Sequence, residues 1–175
     1  MKTSSFVRLM GAAVLGAVAL SGCQQFSNQP AADPDSVQVE FKDMDRFTDF
    51  SDEPWGNAIR PEDAAAQFRE AVVDEARRHL REGQRLKVVF TDVDLAGDHL
   101  PSIRVGATSV RVVKELYPPR IKLTFTLTDA NGTVLKQGER NLIDRDFLMR
   151  ADISIDRSLR YDLHLLRDWL RSELR

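Results

Sequence analysis

Residues 121–135 read IKLTFTLTDANGTVL, and this stretch decides the fold. Every second residue of its first half is apolar, namely Ile121, Leu123, Phe125 and Leu127. This alternation is typical of a strand that buries one face. The Asp-Ala-Asn-Gly sequence at 129–132 then predicts a turn, and Val134 and Leu135 resume a second strand. The stretch therefore predicts an antiparallel hairpin.

Two loop lengths fit this hairpin. A two-residue loop centred on Asn131-Gly132 would set Leu127 opposite Lys136. A three-residue loop over 130–132, with Gly132 in the left-handed conformation, sets Leu127 opposite Leu135 instead. Apolar pairing favours the three-residue loop and a bulged hairpin. The returning strand soon becomes too polar for a sheet centre, so we expect it at an edge.

Three further strands are predicted from the same alternation. The first contains Val37, Val39 and Phe41, and the second begins at 86–90 and runs into the acidic stretch 91–98. The third covers 110–116 and is separated from the hairpin by Pro118-Pro119, because paired prolines cannot continue a central strand.

Helical spacing dominates two segments. Pro61 opens the first, and apolar residues gather on one side until Gly83 supplies a stop, which predicts a helix over 61–82. The second runs from about Asp156, the predicted N-cap, to Glu173, with Leu159, Leu163, Leu166 and Leu170 in one stripe. The order of elements predicts an α+β two-layer sandwich, a mostly antiparallel sheet of 4–5 strands with two helices on one face.

The N-terminus has the pattern of a bacterial signal peptide. Lys2 and Arg8 precede 12 apolar residues, Leu9–Leu20, too few for the roughly 20 that span a bilayer. Leu20-Ser21-Gly22-Cys23 resembles the lipobox of bacterial lipoproteins, which implies cleavage before Cys23 and a diacylglycerol on its thiol. The alternative is an ordinary secreted protein in which Cys23 is a free thiol.

The chain is expected to have three parts: a signal peptide at 1–22, a flexible tether at 23–36 and one globular domain at 37–175. Cys23 is the only cysteine, so no disulfide forms within the chain. Gln24 is not the Asp that commonly retains proteobacterial lipoproteins at the inner membrane. We therefore expect a lipid anchor at the outer membrane, on its periplasmic face.

Charge excludes one class of partner. Without Lys2 and Arg8 the chain carries 23 basic and 27 acidic residues, a formal net charge of −4. This balance provides no basic field for nucleic acid.

The densest group of potential metal ligands is Asp92, Asp94, Asp98 and His99. Alternating acids at the start of a loop are how calcium sites begin, so calcium is one prediction for this group. The full spacing of an EF-hand is absent, and the alternative is that these acids cap turns or face solvent.

Two titratable residues fall on apolar helix faces. His79 lies on the apolar side of the first predicted helix and is interpreted as a core histidine with a satisfied ring nitrogen, the alternative being a general base. Asp162 lies between Leu166 and Trp169 on the last helix, so we expect a buried carboxylate. An arginine such as Arg111 or Arg120 is predicted to give it two hydrogen bonds in a structural ion pair, the alternative being a functional acid with a perturbed pKa.

Two surfaces are candidates for partner binding. Trp55, between a proline and a glycine, is either an exposed aromatic anchor or folded onto the domain. The polar side of the last helix carries Arg160, His164, Arg167 and Arg171, which either meet an acidic partner or lipid headgroups, or face solvent.

Several segments stand out as a set: Phe47-Thr48-Asp49, 91–97, 111–114 leading into 117–121, Leu159-Arg160-Tyr161 and Asp168-Trp169-Leu170. Together they resemble the family known as domain of unknown function 3016, bacterial exported proteins and lipoproteins. The resemblance covers about 37–171, and it implies no activity, ligand or catalytic residue. The family pattern has Glu where this chain has Asp162.

The mature chain has no free cysteine, no Gly-x-Ser-x-Gly sequence, no phosphate-binding glycine loop and no helical zinc motif. Three hypotheses remain. The first is a non-enzymatic binding or assembly accessory that meets an envelope protein or polymer. The second is a small-ligand or metal module that uses residues 92–99. The third is a carboxylate hydrolase of an envelope polymer, which requires two acids within about 10 Å in a cleft.

Overall fold

The computed structural model describes residues 34–50, 59–100, 110–149 and 159–175. The signal peptide, the lipobox, most of the tether, Trp55 and Asp156 lie outside these ranges. None of the helices within them has the length and apolar content that a membrane crossing requires. The described elements follow in the order β1 (Val37–Phe41), α1 (Pro61–Arg77), β2 (Arg85–Asp94), β3 (Asp98–Leu100), β4 (Val110–Val112), β5 (Arg120–Thr128), β6 (Val134–Ile143) and α2 (Arg160–Glu173).

Four strands form the main sheet in the order β1-β2-β5-β6. β1 runs parallel to β2, and the other neighbours are antiparallel. α1 packs against β1, and α2 packs against β5, β6 and α1. The fold is therefore the predicted α+β two-layer sandwich, and β6 lies at the predicted edge.

The core lies between the sheet and the two helices. Alternate residues of β2 and β5, such as Val88 and Leu123, are fully buried against Phe68 of α1 and Leu166 of α2. Each such side chain contributes about 1.5–3 kcal/mol through burial. The second face of the sheet carries polar side chains, such as Lys87 and Lys122, and is called the polar face below.

The helix boundaries differ from the prediction. α1 ends at Arg77 rather than at residue 82, because the N–H groups of Arg78 and His79 turn to carbonyls three residues back. Gly83, with φ of 76°, belongs to a separate turn. α2 begins at Arg160, and its N-cap is Leu159 rather than Asp156.

The hairpin has the predicted three-residue loop, since the N–H of Asp129 bonds the carbonyl of Thr133 at 2.9 Å and Gly132 has φ of 83°. The predicted register is wrong, because a bulge places Leu127 opposite Lys136 and Thr128 opposite Val134. Leu135 is 50% exposed as a result.

A side-chain contact accounts for this register. In the observed register the side chain of Lys136 reaches α2. Its Nζ donates a hydrogen bond to the backbone carbonyl of Glu173 at 2.7 Å and lies 3.1 Å from the carboxylate of that residue. A charged contact between the edge strand and the last helix therefore replaces the predicted apolar pair.

The predicted strand over 110–116 is also too long. β4 ends at Val112 and pairs with β3 in a separate two-stranded ribbon. Beyond it the chain turns, with the N–H of Tyr117 on the carbonyl of Lys114 at 3.0 Å. The carbonyl of Tyr117 then accepts the N–H of Gly97 at 2.9 Å, which joins this turn to the start of the ribbon.

Candidate functional site

The sheet register brings charged residues together at the end of the sheet remote from the hairpin loop. Asp92 of β2, Lys122 of β5 and Asn141 of β6 form one row across three strands. Asp94, Arg120 and Ile143 form the next row. Together with Thr48 and Arg145, these two rows line a cavity of about 390 Å³, which we call the charged cavity.

A β-bulge gives this cavity its acids. The register of β2 against β5 shifts between Phe90 and Asp92, so that Thr91 is an extra residue. Phe90 and Val93 are both fully buried, although strict alternation would put them on opposite faces. The bulge thus keeps Val93 in the core and turns Asp92 and Asp94 to the polar face.

In the first row, the carboxylate of Asp92 is fully engaged. Asp92 Oδ1 accepts hydrogen bonds from the backbone N–H and the hydroxyl of Thr48, each at 3.0 Å. Its Oδ2 accepts one from Lys122 Nζ at 3.0 Å. Burial alone would raise the pKa of Asp92, but these hydrogen bonds outweigh it and hold the pKa below its usual value.

The second row is not closed in this way. Arg120 Nε lies 4.0 Å from Asp94 Oδ2, beyond hydrogen-bond reach, and the side chains are 55% and 35% exposed. Burial raises the pKa of Asp94, and the negative charges of Asp49 and Asp92 add to the effect against the charges of Arg120 and Arg111. Asp94 therefore holds an incompletely compensated charge at the cavity.

Asp49 and Arg111 fix the turn at Leu95 and Ala96 that follows β2. Asp49 Oδ2 accepts the N–H of Leu95 at 2.7 Å and lies 3.5 Å from Arg111 Nη2. Arg111 Nε donates to the carbonyl of Ala96 at 2.8 Å. These bonds tie the β3–β4 ribbon to the end of the main sheet.

Asp162 enters the same region from the first turn of α2. It is 2% exposed, as predicted, and its Oδ1 accepts the N–H of Ala96 at 2.8 Å. Burial raises the pKa of Asp162 to about 7 against the hydrogen bond from Ala96 and the charge of Arg111. The predicted pair of hydrogen bonds from an arginine is wrong within the described contacts, because Arg111 bonds the carbonyl of Ala96 instead.

The segments that carry the family resemblance meet here. Thr48 and Asp49 belong to the first of them, and Asp92, Asp94 and Ala96 to the second. The third segment, 111–114 leading into 117–121, supplies the residues Arg111 and Arg120.

The described residues do not assemble the predicted metal site, since no group of three metal-ligating side chains occurs among them. Asp92 is bound to Thr48 and Lys122, and Asp98 lies beyond the turn at Gly97, opposite Val112 in the ribbon. The side chain of His99 lies outside the described part of the chain. Calcium binding at these four residues therefore stays a prediction.

The predicted basic face of α2 is partly engaged within the protein. Arg171 Nε donates to the buried carboxylate of Glu75 on α1 at 2.8 Å. Arg160 lies over the ring of Tyr161 and donates to its hydroxyl at 2.9 Å. His164 lies 3.2 Å from Asp168. These contacts leave Arg167 as the residue of this set without a described side-chain contact.

His79 is satisfied but not buried. Its Nε2 lies 3.1 Å from Glu75 Oε1, which confirms the predicted ring-nitrogen partner. Its side chain is 28% exposed, because α1 ends before it. It lines a different depression, beside the end of α2.

Several cavity residues escaped the sequence reasoning: Thr48, Lys122, Asn141 and Arg145. Lys122 and Asn141 reach the cavity through strand pairing, Thr48 through its hydrogen bonds to Asp92, and Arg145 follows the end of β6. The signal present in the sequence is the matched spacing of Arg120 and Lys122 with Asp92 and Asp94, which predicts cross-strand ion pairs once the two strands are placed side by side.

The fold and the cavity define a two-layer α+β sandwich domain with a charged cavity on the polar face of its sheet. The sequence profile of a family described as protein of unknown function (DUF3016) matches residues 35–172. The chain belongs to this family. No curated protein and no solved structure matches this chain significantly.

Proposed function

We propose that this protein is a lipid-anchored binding protein of the bacterial envelope that faces the periplasm and acts without catalysis, as an accessory to an envelope protein or polymer. The observation that carries the binding role is the open second row of the charged cavity. Asp94 and Arg120 lie 4.0 Å apart there without a hydrogen bond, and both reach solvent. Polar groups arranged in this way are available to a ligand.

The lipobox-like residues at 20–23 support the anchor, and Gln24 supports the outer membrane as its site. Chain direction fits a binding surface directed away from that anchor. β1 enters the sheet beside Leu86, near the hairpin loop, whereas Asp94 lies eight residues further along β2, or about 26 Å. A tether of about 13 residues reaches at most about 45 Å, so the partner must lie close to the membrane.

Lipidation is tested by labelled palmitate and membrane fractionation of cells that make the full precursor. We expect the unaltered chain to take up label and to fractionate with the outer membrane. Cys23→Ala should lose both, and Gln24→Asp should keep the label but move to the inner membrane. A labelled Cys23→Ala chain, or an unaltered chain without label, would contradict the anchor.

Binding is tested by a photo-crosslinking amino acid introduced at Arg145, on the rim of the cavity, in living cells. Glu70, exposed on α1, is the matched control position, and Arg167 reports on the basic face of α2. We expect a defined adduct from position 145 and none from position 70. Monomer alone from positions 145 and 167 under several growth conditions would remove the proposed function.

A carboxylate hydrolase is the second candidate, because Asp92 and Asp94 line one cavity with pKa values moved in opposite directions. Their Cα atoms are about 6.6 Å apart along the strand. Asp94 would give its proton to the leaving oxygen as the bond to it breaks, while Asp92 takes a proton from the attacking water. Release of soluble fragments from purified peptidoglycan, lost in Asp94→Asn, would favour this candidate, and no release would exclude it for this polymer.

A further inference from the structure

We infer that the charged cavity binds a small zwitterion, a molecule that carries an ammonium group beside a carboxylate or phosphate. This inference rests on the proposed binding function and names its ligand class. The cavity of about 390 Å³ falls within the size range of small-molecule sites. Its two rows of charged residues differ in a way that defines what they accept.

In the first row, Asp92 and Lys122 already bind each other. The carboxylate of Asp92 accepts three hydrogen bonds on its two oxygens, from Thr48 and Lys122. A ligand that displaced Lys122 from Asp92 would have to replace a charge-assisted hydrogen bond at 3.0 Å. The ligand is therefore expected to lie over the second row.

The second row presents opposite charges that form a loose ion pair without a hydrogen bond. The 4.0 Å between Asp94 Oδ2 and Arg120 Nε leaves the lone pairs of the carboxylate and the donors of the guanidinium open. A ligand with two charges at a similar spacing matches this arrangement head to tail. Its ammonium contacts Asp94 and its anionic group contacts Arg120.

Neighbouring residues add to the same pattern. Arg145 lies on the rim with no described ion pair or hydrogen bond, and supplies a second cation for the anionic group. Asn141 lies in the adjacent row and offers an amide that both donates and accepts hydrogen bonds. The negative charges of Asp49 and Asp92 near Asp94 favour a cation at this point over a second anion.

Two sources provide this chemistry in an envelope, a free short peptide with both of its charged termini and the phosphoethanolamine headgroup of a lipid. Ligand-detected NMR on the full-length lipidated protein in detergent separates them with two probes, D-alanyl-D-alanine and glycerophosphoethanolamine. N-acetyl-D-alanyl-D-alanine and glycerophosphate lack the ammonium, and D-alanyl-D-alanine amide lacks the carboxylate.

We expect one zwitterion to bind, each single-charge analogue to bind at least about tenfold more weakly, and both Asp94→Asn and Arg120→Gln to lose binding by a similar factor. Glu40→Gln is the matched control, because Glu40 forms a cross-strand ion pair with Lys87 at 2.8 Å outside the cavity lining. Arg145→Gln changes an exposed residue and serves if a strand variant fails to fold.

Equal binding of glycerophosphate or the acetylated dipeptide would overturn the inference in favour of a plain anion site. Binding of neither zwitterion would also overturn it. A crosslinked adduct from position 145 in the same cells would show in that case that the proposed binding function stands while the ligand class is wrong.

Discussion

Asp162 and Arg111 hold the same residue from opposite sides. The carboxylate of Asp162 accepts the N–H of Ala96 at 2.8 Å, and the guanidinium of Arg111 donates to the carbonyl of Ala96 at 2.8 Å. The start of α2 and the β3–β4 ribbon are thereby joined through the turn that follows β2. This junction lies two residues after Asp94, which ends β2 and lines the charged cavity.

Asp162→Asn should change how stability depends on pH. Because the pKa of Asp162 is raised to about 7 in the folded protein, the folded state binds more protons than the unfolded state between about pH 4 and 7. Stability from this group therefore falls as pH rises through that window. The free energy of unfolding of the unaltered protein should fall by up to about 4 kcal/mol relative to the variant between pH 4 and 8.

Urea unfolding across this pH range measures the difference. Asp74→Asn, at an exposed position on α1, is the control and should follow the unaltered protein. A constant difference between the unaltered protein and Asp162→Asn from pH 4 to 8 would show that Asp162 keeps the same charge in both states.

Glu75→Gln should destabilise the contact between the two helices. Glu75 is 3% exposed and accepts from Arg171 Nε at 2.8 Å and contacts His79 Nε2 at 3.1 Å. Loss of the negative charge weakens the hydrogen bond to Arg171, which stays partly exposed and paired with Asp168, and should cost about 1–2 kcal/mol at pH 7, measured by urea unfolding. Glu70→Gln, on the exposed side of the same helix, should cost less than about 0.5 kcal/mol.

The stability contributed by Glu75 depends on pH with the opposite sign to that contributed by Asp162. Burial alone would raise the pKa of Glu75, but hydrogen bonds from Arg171 and His79 lower it. Its contribution is therefore present above the ordinary glutamate pKa and is lost as pH falls through the lowered value. The difference in free energy of unfolding between Glu75→Gln and the unaltered protein should narrow in acid. A difference that widens there would contradict the stabilising role of the Glu75 carboxylate.

Gly97→Ala should be far more costly than Gly132→Ala. Both glycines have positive φ, 97° and 83°, which costs another residue about 1 kcal/mol. A Cβ at Gly97 would also lie 2.8 Å from the carbonyl oxygen of Val112, whereas a Cβ at Gly132 meets open space. We expect Gly97→Ala to lower the free energy of unfolding by about 3 kcal/mol and Gly132→Ala by about 1 kcal/mol, measured by thermal or urea unfolding. Equal losses would mean that the β3–β4 ribbon shifts to accommodate the new Cβ without strain.

Local patterning predicted much of the fold because its signals lie within single elements. The alternation in β2 and β5 and the apolar stripe of α2 placed the core residues correctly. No local sequence signal predicts the bulge at Thr91, because the bulge is defined by how β2 pairs with β5. The cavity inherits this difficulty. Asp92 and Asp94 stand out in the sequence, but Lys122 and Asn141 join them only through strand register.

The hairpin register provides a last test of this kind. The sequence favours Leu135 opposite Leu127, whereas the structure buries Leu127 at 8% exposure and leaves Leu135 at 50%. Leu127→Ala should therefore cost about 2–4 kcal/mol in urea unfolding, through lost burial and a cavity, and Leu135→Ala less than about 1 kcal/mol. If the two leucines faced each other on the buried side, both substitutions would cost similar amounts.

Lys136→Met distinguishes the two registers further. In the observed register, Lys136 Nζ reaches the carbonyl of Glu173 at 2.7 Å. Loss of this hydrogen bond should therefore speed hydrogen exchange of the backbone amides at the end of α2, whereas the register with Leu135 opposite Leu127 predicts no change there.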